Sequence, residues 1–187
     1  MRCFVAIELS PELRAPLLRL IQAHHDAVRG VRWCSEAQLH VTLRFFGDVP
    51  DPQVPALAET LASTAKSVAP FDLTLARCGA FPGPRQPRVL WCGVDDPSDG
   101  CRRCLAAAEA PLRALGFPPE ERPFTAHVTL ARAQSPGGSR AVAALLPKLA
   151  ALPALTMRVE HLTLFESILR PSGAEYRVAG RALLAGA

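Results

Sequence analysis

The sequence predicts an α+β fold of two similar lobes, because the same order of strands and helices occurs twice along the chain. The tetrapeptide HVTL begins at His40 and again at His127, although the chain contains only five histidines. The second copy follows the first by 87 residues, and the strand-like segment that begins at Arg88 follows the one at Arg2 by 86. Near-constant spacing indicates an internal repeat. We therefore expect two lobes related by a pseudo-twofold axis, each with a few antiparallel strands and with helices on one face.

The first half reads as strand, helix, strand, helix, strand. Short runs of β-branched and aromatic residues favour strands, while apolar residues spaced three or four apart and an early proline favour helices. We predict a strand at Arg2 to Glu8, a helix begun by Ser10-Pro11, a strand at Leu39 to Phe46, a helix from Asp51-Pro52 toward Val68, and a strand at Phe71 to Ala76. The loop FPGPRQP ends this half.

The second half repeats that order. We predict a strand at Val89 to Val94, a helix at Cys101 to Leu115, a strand at Phe124 to Leu130, a loop SPGGS, a helix at Arg140 to Leu149, and a strand at Leu155 to Phe165. Phe165 follows Phe81 by 84 residues, in keeping with the repeat. We expect one domain over residues 1–187, made of two interlocked repeats at about 1–87 and 88–187.

The composition is that of a globular chain. Of 187 residues, 49% are apolar and 20% charged, with a net charge of +4, so disorder is excluded. The start MRCFVAIELS is not a secretory signal, and no run of about 18 apolar residues indicates a membrane span. We expect a cytoplasmic protein with no membrane association, with its six cysteines reduced. The pair Cys101 and Cys104 forms a CxxC, but further ligands at metal-site spacing are lacking.

The repeated motif places an imidazole and a hydroxyl on one face of a strand. Alternation predicts that one face carries His40, Thr42 and Arg44 and the other carries Leu39, Val41, Leu43 and Phe45, with His127 and Thr129 matching the first set. Two such pairs across a cleft suit phosphodiester cleavage. One histidine takes a proton from the attacking oxygen, the other protonates the leaving oxygen, and the hydroxyls donate to the phosphate.

These residues match those of a known family. It resembles the 2H phosphoesterases, named for paired HxTx motifs, and most closely their RNA 2′,3′-cyclic phosphodiesterase branch, also known as bacterial 2′-5′ RNA ligase. The resemblance covers essentially the whole chain, through RCFVAIEL, WCSEAQLHVTLRFFGDV, GAFPG before VLWCGV, FTAHVTLAR, and a tail with LFES and Tyr176. It implies a bilobal fold in which two antiparallel sheets line a central cleft, with helices on the outer faces.

The resemblance implies hydrolysis of a terminal 2′,3′-cyclic phosphate on RNA to a 2′-phosphomonoester, without metal or cofactor. It makes His40 the proton donor to the 3′ leaving oxygen and His127 the acceptor that activates water, while Thr42 and Thr129 bind the phosphate. It also implies ATP-independent joining or cleavage of 2′-5′ RNA linkages. The expected partner is RNA with a cyclic phosphate end, or a small cyclic nucleotide, and the expected state is a monomer.

Near the second motif, Arg132 does not fit the strand alternation, and Ala126 departs from the family pattern. Arg132 matches the arginine that closes the family motif and is expected to bind substrate, but alternation puts it on the face of Val128. It reaches the cleft only if the strand ends or bulges after Leu130. Family members usually carry proline before the second histidine, where this chain has Ala126; a proline would fix the backbone there, so its loss loosens that strand end.

Other interpretations remain open from sequence. A two-histidine metal site would need a third protein ligand, and neither motif has one nearby. His161 begins HLTL, which mimics the motif, but in the repeat it corresponds to Arg77 and we expect it to be no catalytic residue. The alternatives to the RNA enzyme are an RNA-end or nucleotide-binding module without turnover, and a phosphodiesterase acting on a small nucleotide.

Overall fold

The computed structural model describes residues 1–121, 123–149, 152–171 and 173–186, and these form nine strands and four α-helices. The strands are β1 (Arg2–Glu8), β2 (Val31–Trp33), β3 (His40–Asp48), β4 (Phe71–Phe81), β5 (Val89–Asp95), β6 (His127–Ala133), β7 (Thr156–Val159), β8 (His161–Arg170) and β9 (Gly173–Leu183). The helices are α1 (Pro11–His24), α2 (Val54–Ala65), α3 (Gly100–Ala114) and α4 (Pro136–Leu145). The predicted α+β class is confirmed.

The strands form one curled antiparallel sheet in the order β7-β4-β5-β6-β3-β1-β8-β9, with the short β2 paired to the end of β6. Each motif strand lies at the centre. The two groups of four strands on either side correspond to the predicted lobes, and they meet where β3 pairs with β6. The sheets expected in the two lobes are thus continuous with each other.

The third strand of each half has moved to the other lobe. β4, from the first half, pairs with β5 and β7, whereas β8, from the second half, pairs with β1 and β9. The segment predicted as one strand at Leu155 to Phe165 is divided at Glu160 for this reason. Its first part extends the second lobe as β7 and its second part enters the first lobe as β8.

Other differences from the predicted elements are local. β2 and β9 were not predicted, and β4 continues five residues past Ala76. The predicted loop SPGGS is the first turn of α4: the Ser135 hydroxyl accepts a hydrogen bond from the Gly138 amide at 3.1 Å. Glycine is required at 138 because a Cβ there would lie 1.9 Å from the carbonyl oxygen of Gly30.

The helices cover one face of the sheet and leave the other to form the cleft. A single core cluster joins them to the strands, with Leu13 from α1, Leu57 from α2, Leu112 from α3 and Leu130 from β6 all almost fully buried. Burying such side chains is the main source of stability for the curled sheet. Among the residues described, no helix has the length and apolar character needed to cross a membrane.

Candidate active site

The two motifs meet at the centre of the sheet. β3 and β6 are joined through one registered pair, Val41 with Val128, both completely buried on the helix side. Their neighbours in sequence, the motif histidines and threonines, therefore point to the opposite face and line a common cleft. In antiparallel register the two histidines are diagonal neighbours, for which backbone positions are about 7–8 Å apart. The cleft can thus hold one phosphate between them.

His40 is held in an aromatic cluster of the first lobe. Its ring lies 5.0 Å from the ring of Phe4 and 5.3 Å, edge to face, from that of Tyr176. Nε2 is 2.9 Å from the Thr42 hydroxyl, while Nδ1 is buried and has no hydrogen-bond partner among the described residues. Burial lowers the pKa of His40 to about 4; the Gln38 main chain opposes this shift, and the charges of His127 and Arg132 add to it.

His127 has a matching cluster in the second lobe. Its ring lies 5.0 Å from Phe81, edge to face, and 6.2 Å from Trp91. Nδ1 is 2.7 Å from the carbonyl oxygen of Thr125, which fixes the proton on Nδ1 and leaves Nε2 as an acceptor. Burial also lowers the pKa of His127, opposed by the Thr125 hydrogen bond and helped by the charge of Arg132. Both imidazoles are therefore neutral at pH 7 in the free protein.

A β-bulge follows each motif and changes which side chains reach the cleft. In β6 the register passes from Thr129 to Ala131 while β5 advances one residue, so Leu130 is extra and Arg132 turns to the cleft. In β3 the register passes from Thr42 to Arg44 while β1 advances one residue. Phe45 then faces the cleft and is 54% exposed.

The alternation predicted for β3 is therefore wrong beyond Leu43. Arg44 is only 5% exposed: its guanidinium pairs with Glu109 of α3 at 3.3 Å and donates to the carbonyl oxygen of Pro118. Phe46 packs against Phe117, with ring centroids 5.1 Å apart. Both residues hold the segment that leads from α3 toward His127, and Phe46 is part of the core.

The cleft has a volume of about 1040 Å³. One side is formed by residues 118–121 and 123–125, where Arg44 contacts Pro118, and the other by the hairpin of β8 and β9, which carries Leu169 and Tyr176. The Gln38 side chain donates a hydrogen bond of 2.7 Å to the carbonyl oxygen of Ala174 and ties this hairpin to the start of β3. Positive charge comes from Arg32 and Arg132.

Sequence reasoning missed three aromatic residues around the motifs. Phe45 follows Thr42 as Arg132 follows Thr129, so the 87-residue repeat that linked the motifs pointed to it. The sequence presents Tyr176 only as part of a tail and Trp91 only as a strand residue. No local pattern reveals that the rings of Tyr176 and Trp91 pack against the histidines, because their strands are far from the motifs in sequence.

Three residues that the sequence singles out, His161, Cys101 and Cys104, lie outside the cleft. His161 is not among the cleft residues and instead lies 3.4 Å from the Glu8 carboxylate. Cys101 and Cys104 are buried in α3; burial raises the pKa of the Cys104 thiol to about 11 and raises that of Cys101 as well, which makes both poor nucleophiles. Within the described part of the chain, no group of three or more His, Cys, Asp or Glu side chains is placed to hold a metal.

Comparison with known sequences identifies the family. The sequence model of the 2′-5′ RNA ligase superfamily matches residues 3–168. The chain belongs to the 2′-5′ RNA ligase superfamily. The RNA 2′,3′-cyclic phosphodiesterase of Methanothermobacter thermautotrophicus is 31% identical over 177 residues, or 94% of each chain. The protein of that name from Aeropyrum pernix is 35% identical over 142 residues, covering 76% of this chain and 80% of its own.

Two solved structures have the same fold. TT0787 of Thermus thermophilus is 30% identical and superposes with a TM-score of 0.81, covering 100% of this chain and 99% of its own. E. coli LigT in complex with 3′-AMP is 26% identical with a TM-score of 0.75, covering 98% of this chain and 97% of its own. The predicted family and bilobal fold are thereby confirmed.

Proposed function

We propose that the protein hydrolyses the 2′,3′-cyclic phosphate at the 3′ end of RNA to a 2′-phosphomonoester, without a metal ion. The observation that carries this proposal is the placement of two histidine–threonine pairs around the Val41–Val128 junction, facing one cleft. The names of the relatives in Methanothermobacter and Aeropyrum support the same substrate class. The reaction is the displacement of the 3′ oxygen from phosphorus by water.

His127 acts as the base in this proposal. Its Nδ1 hydrogen bond to the Thr125 carbonyl oxygen leaves an unprotonated Nε2 toward the cleft, where it takes a proton from the attacking water. His40 acts as the acid and gives a proton to the leaving 3′ oxygen. Its Nε2 lies 2.9 Å from the Thr42 hydroxyl on the cleft face.

Binding of the substrate phosphate allows His40 to be protonated, as an acid must be. An acid must carry its proton when the bond breaks, yet the pKa of His40 is about 4 in the free protein. A bound phosphate anion next to the imidazole raises its pKa by favouring the charged form. Protonation of His40 is therefore coupled to substrate binding.

Three side chains hold the phosphate oxygens. Thr42 and Thr129 lie on the cleft face beside the histidines, and their hydroxyls donate to the non-bridging oxygens, where negative charge increases in the transition state. Arg132 adds a fixed positive charge, and its guanidinium geometry suits two phosphate oxygens at once. The same charge lowers the pKa of both histidines in the empty site, which the phosphate reverses.

Two aromatic side chains of the first lobe favour a nucleotide over a simple phosphodiester. Phe45 is exposed in the cleft beside Phe4, at 5.3 Å between ring centroids, and Tyr176 lies nearby against His40. Stacking on aromatic rings is a common way to bind an unpaired base. A small cyclic nucleotide satisfies the same contacts, so it remains the second candidate substrate, together with reversible 2′-5′ RNA joining by the same displacement.

An assay in EDTA tests the proposal. The protein is incubated with an oligoribonucleotide that ends in a 2′,3′-cyclic phosphate, and in parallel with a mononucleoside 2′,3′-cyclic phosphate. We expect a 2′-phosphomonoester from the oligonucleotide, at undiminished rate in EDTA. Unchanged substrate of both kinds would support a binding module without turnover, and turnover of the mononucleotide alone would make it a small-molecule enzyme.

A further inference from the structure

The hairpin of β8 and β9 covers His40 but extends beyond the strand that supports it. β8 pairs with β1 only as far as Glu166, after which its partner is β9 alone. This part of the hairpin carries Tyr176, whose ring packs edge to face against the imidazole of His40 at 5.3 Å and against Phe4 at 4.9 Å. The position of the hairpin therefore determines how deeply the imidazole is buried.

Among the described residues, one hydrogen bond joins the end of this hairpin, residues 168–171 and 173–175, to the rest of the protein. The Gln38 side chain donates it to the carbonyl oxygen of Ala174, at 2.7 Å. The ion pairs of Glu175 with Arg170 and Arg177, both at 3.2 Å, lie within the hairpin itself. No other hydrogen bond or ion pair links the hairpin end to a described residue outside the hairpin.

The Gln38 amide is oriented for this bond. Its Oε1 accepts a hydrogen bond of 2.9 Å from the main-chain amide of Ser35, which precedes the short 3₁₀ turn Glu36–Gln38. This bond leaves Nε2 as the end of the amide that faces the hairpin. Gln38 is also only two residues before His40, so a single residue connects the hairpin to the start of the motif strand.

The internal repeat indicates that this position controls the histidine that follows it. At the 87-residue spacing, Gln38 corresponds to Thr125. The Thr125 carbonyl oxygen lies 2.7 Å from Nδ1 of His127 and fixes its tautomer. Burial lowers the pKa of His40 to about 4, and the Gln38 main chain opposes that shift. Gln38 thus acts on its histidine through the main chain, as Thr125 does, and adds a side chain that reaches the hairpin.

We propose that Gln38 is a positioning residue, which holds the β8–β9 hairpin over His40 and so keeps the imidazole in place for proton transfer. This inference rests on the proposed function in one respect, the role of His40 as the acid. Gln38 acts through Tyr176, because the bond to Ala174 holds the strand two residues before that ring. When the bond is lost, the hairpin end moves away from the imidazole and water reaches it.

The titratable and charged groups around His40 come from other parts of the chain. They are Glu8 on β1, Cys34 after β2, His127 and Arg132 on β6, and Tyr176 on β9. Gln38 is uncharged, so its replacement by another neutral residue changes none of these charges. A change in the pKa of His40 then reports the burial of its ring.

The variant Gln38→Met tests the proposal, since methionine has nearly the same length but cannot donate to Ala174. Nuclear magnetic resonance of the histidine rings across pH, in the ligand-free protein, measures the pKa of His40. We expect this pKa to rise from about 4 toward the ordinary value of 6.5, because the ring becomes hydrated. The pKa of His127 should stay as in the wild type.

A second signal follows the hairpin itself. Tyr176 is the only tyrosine of the sequence, so protein labelled with 3-fluorotyrosine gives one fluorine resonance. Gln38→Met should move this resonance. A double variant tests the route: once Tyr176→Leu has removed the covering ring, Gln38→Met should cause no further change in the pKa of His40.

The variant Gln53→Met is the matched control. The Gln53 side chain also donates to a main-chain carbonyl oxygen at 2.7 Å, that of Leu115, and it lies outside the cleft. It should leave the pKa of His40 and the fluorine resonance unchanged. In turnover of a 2′,3′-cyclic phosphate, Gln38→Met should lower kcat about tenfold through misplacement of the acid, and Gln53→Met less than about twofold.

The outcomes distinguish the two proposals. If the wild-type protein forms no phosphomonoester, the proposed function fails, and the resonance measurements still decide whether Gln38 positions the ring of His40. If phosphomonoester forms but Gln38→Met leaves the pKa of His40 and the fluorine resonance unchanged, the positioning role is wrong and the proposed hydrolysis stands. Equal changes in Gln53→Met would also overturn the positioning role, because they would show a general loss of stability.

Discussion

His40 and His127 are both neutral near pH 7 in the free protein, because each is buried among aromatic rings and lies near Arg132. They are nevertheless unlike. The proton of His127 is fixed on Nδ1 by the Thr125 carbonyl oxygen, whereas His40 contacts the Thr42 hydroxyl through Nε2. In the proposed mechanism, His127 presents a base to the cleft, and His40 becomes an acid only when a phosphate anion is bound.

This difference predicts two distinct pH profiles. Activity is lost below the pKa of the base and above the pKa of the acid, and kcat/KM reports these values in the free protein. With His40 at about 4 and His127 lowered from 6.5, the kcat/KM optimum should lie between those values. The kcat profile, which reports the bound state, should be displaced to higher pH, since the phosphate raises both pKa values. Coincident profiles would contradict this coupling.

Removal of either histidine should abolish most of the turnover. We expect His40→Ala and His127→Ala to lower kcat by about 10²- to 10⁴-fold, the usual contribution of a general acid or base. His161→Ala is the control, because its ring contacts Glu8 and lies outside the cleft; it should change kcat by less than about threefold. An equal loss at His161 would mean that the wrong strand has been taken as catalytic.

Among the site residues, the sequence best predicts those that occur twice at the spacing of the repeat. The motif residues His40, Thr42, His127 and Thr129 were predicted from the tetrapeptides, and all four line one cleft. Their pKa values were not predictable, because burial comes from Phe4, Phe81 and Tyr176 on other strands. Arg132 depended on a bulge, which a strand pattern alone does not reveal.

At the scale of elements, the β-bulges after the two motifs determine which side chains face the cleft. Each inserts one residue, Leu43 in β3 and Leu130 in β6, and so reverses the alternation beyond it. The result is an aromatic ring on one side of the cleft and a guanidinium on the other. The two lobes are alike in backbone but present different side chains to the cleft.

Phe45 is expected to bind the base next to the phosphate. Phe45→Ala should raise KM for an oligoribonucleotide about tenfold, because stacking of one base on an aromatic ring contributes about 1–3 kcal/mol. Leu183→Ala, at a residue of β9 that is 64% exposed and not part of the cleft, should leave KM unchanged. Steady-state kinetics of the two variants make the test, and an unchanged KM in Phe45→Ala would assign the base to another surface.

Arg44 stabilises the segment that leads into β6. Arg44→Ala leaves the Glu109 carboxylate and the Pro118 carbonyl oxygen without this donor, and should lower the free energy of unfolding by about 1–3 kcal/mol. Arg113→Ala is a matched control, since Arg113 pairs with the same Glu109 at 3.5 Å but is 66% exposed; it should cost less than about 1 kcal/mol. Urea unfolding compares them, and equal losses would show that the burial of Arg44 adds no stability.

Strands and helices were predicted correctly where the sequence pattern depends only on neighbouring residues. β1 was predicted with its observed bounds, and Ser10 caps α1 as expected, accepting from the Leu13 amide. The failures depend on contacts with distant segments. The glycines of SPGGS indicate a loop, yet close approach to Gly30 requires glycine inside α4. The segment Leu155 to Phe165 is predicted as one strand, yet it is divided at Glu160 because its two sides pair in different lobes.

At the scale of the whole molecule, the exchange of β4 and β8 ties the two halves together. Each half supplies two strands to the other lobe, β2 and β4 from the first half and β8 and β9 from the second, so neither half completes its own sheet. The spacing of the repeat predicted two similar lobes but could not predict the exchange, because spacing does not say which lobe the third strand joins. The exchange explains why Phe165 contacts His40 and Phe81 contacts His127, each from the other half of the chain.

The central claim is that both imidazoles contact one phosphate. Nuclear magnetic resonance of the histidine ring nitrogens, recorded across pH with and without a nucleoside 2′-monophosphate, measures this directly. We expect the ligand to raise the pKa of both His40 and His127. A shift at only one of the two motif histidines, or at neither, would contradict the two-histidine site.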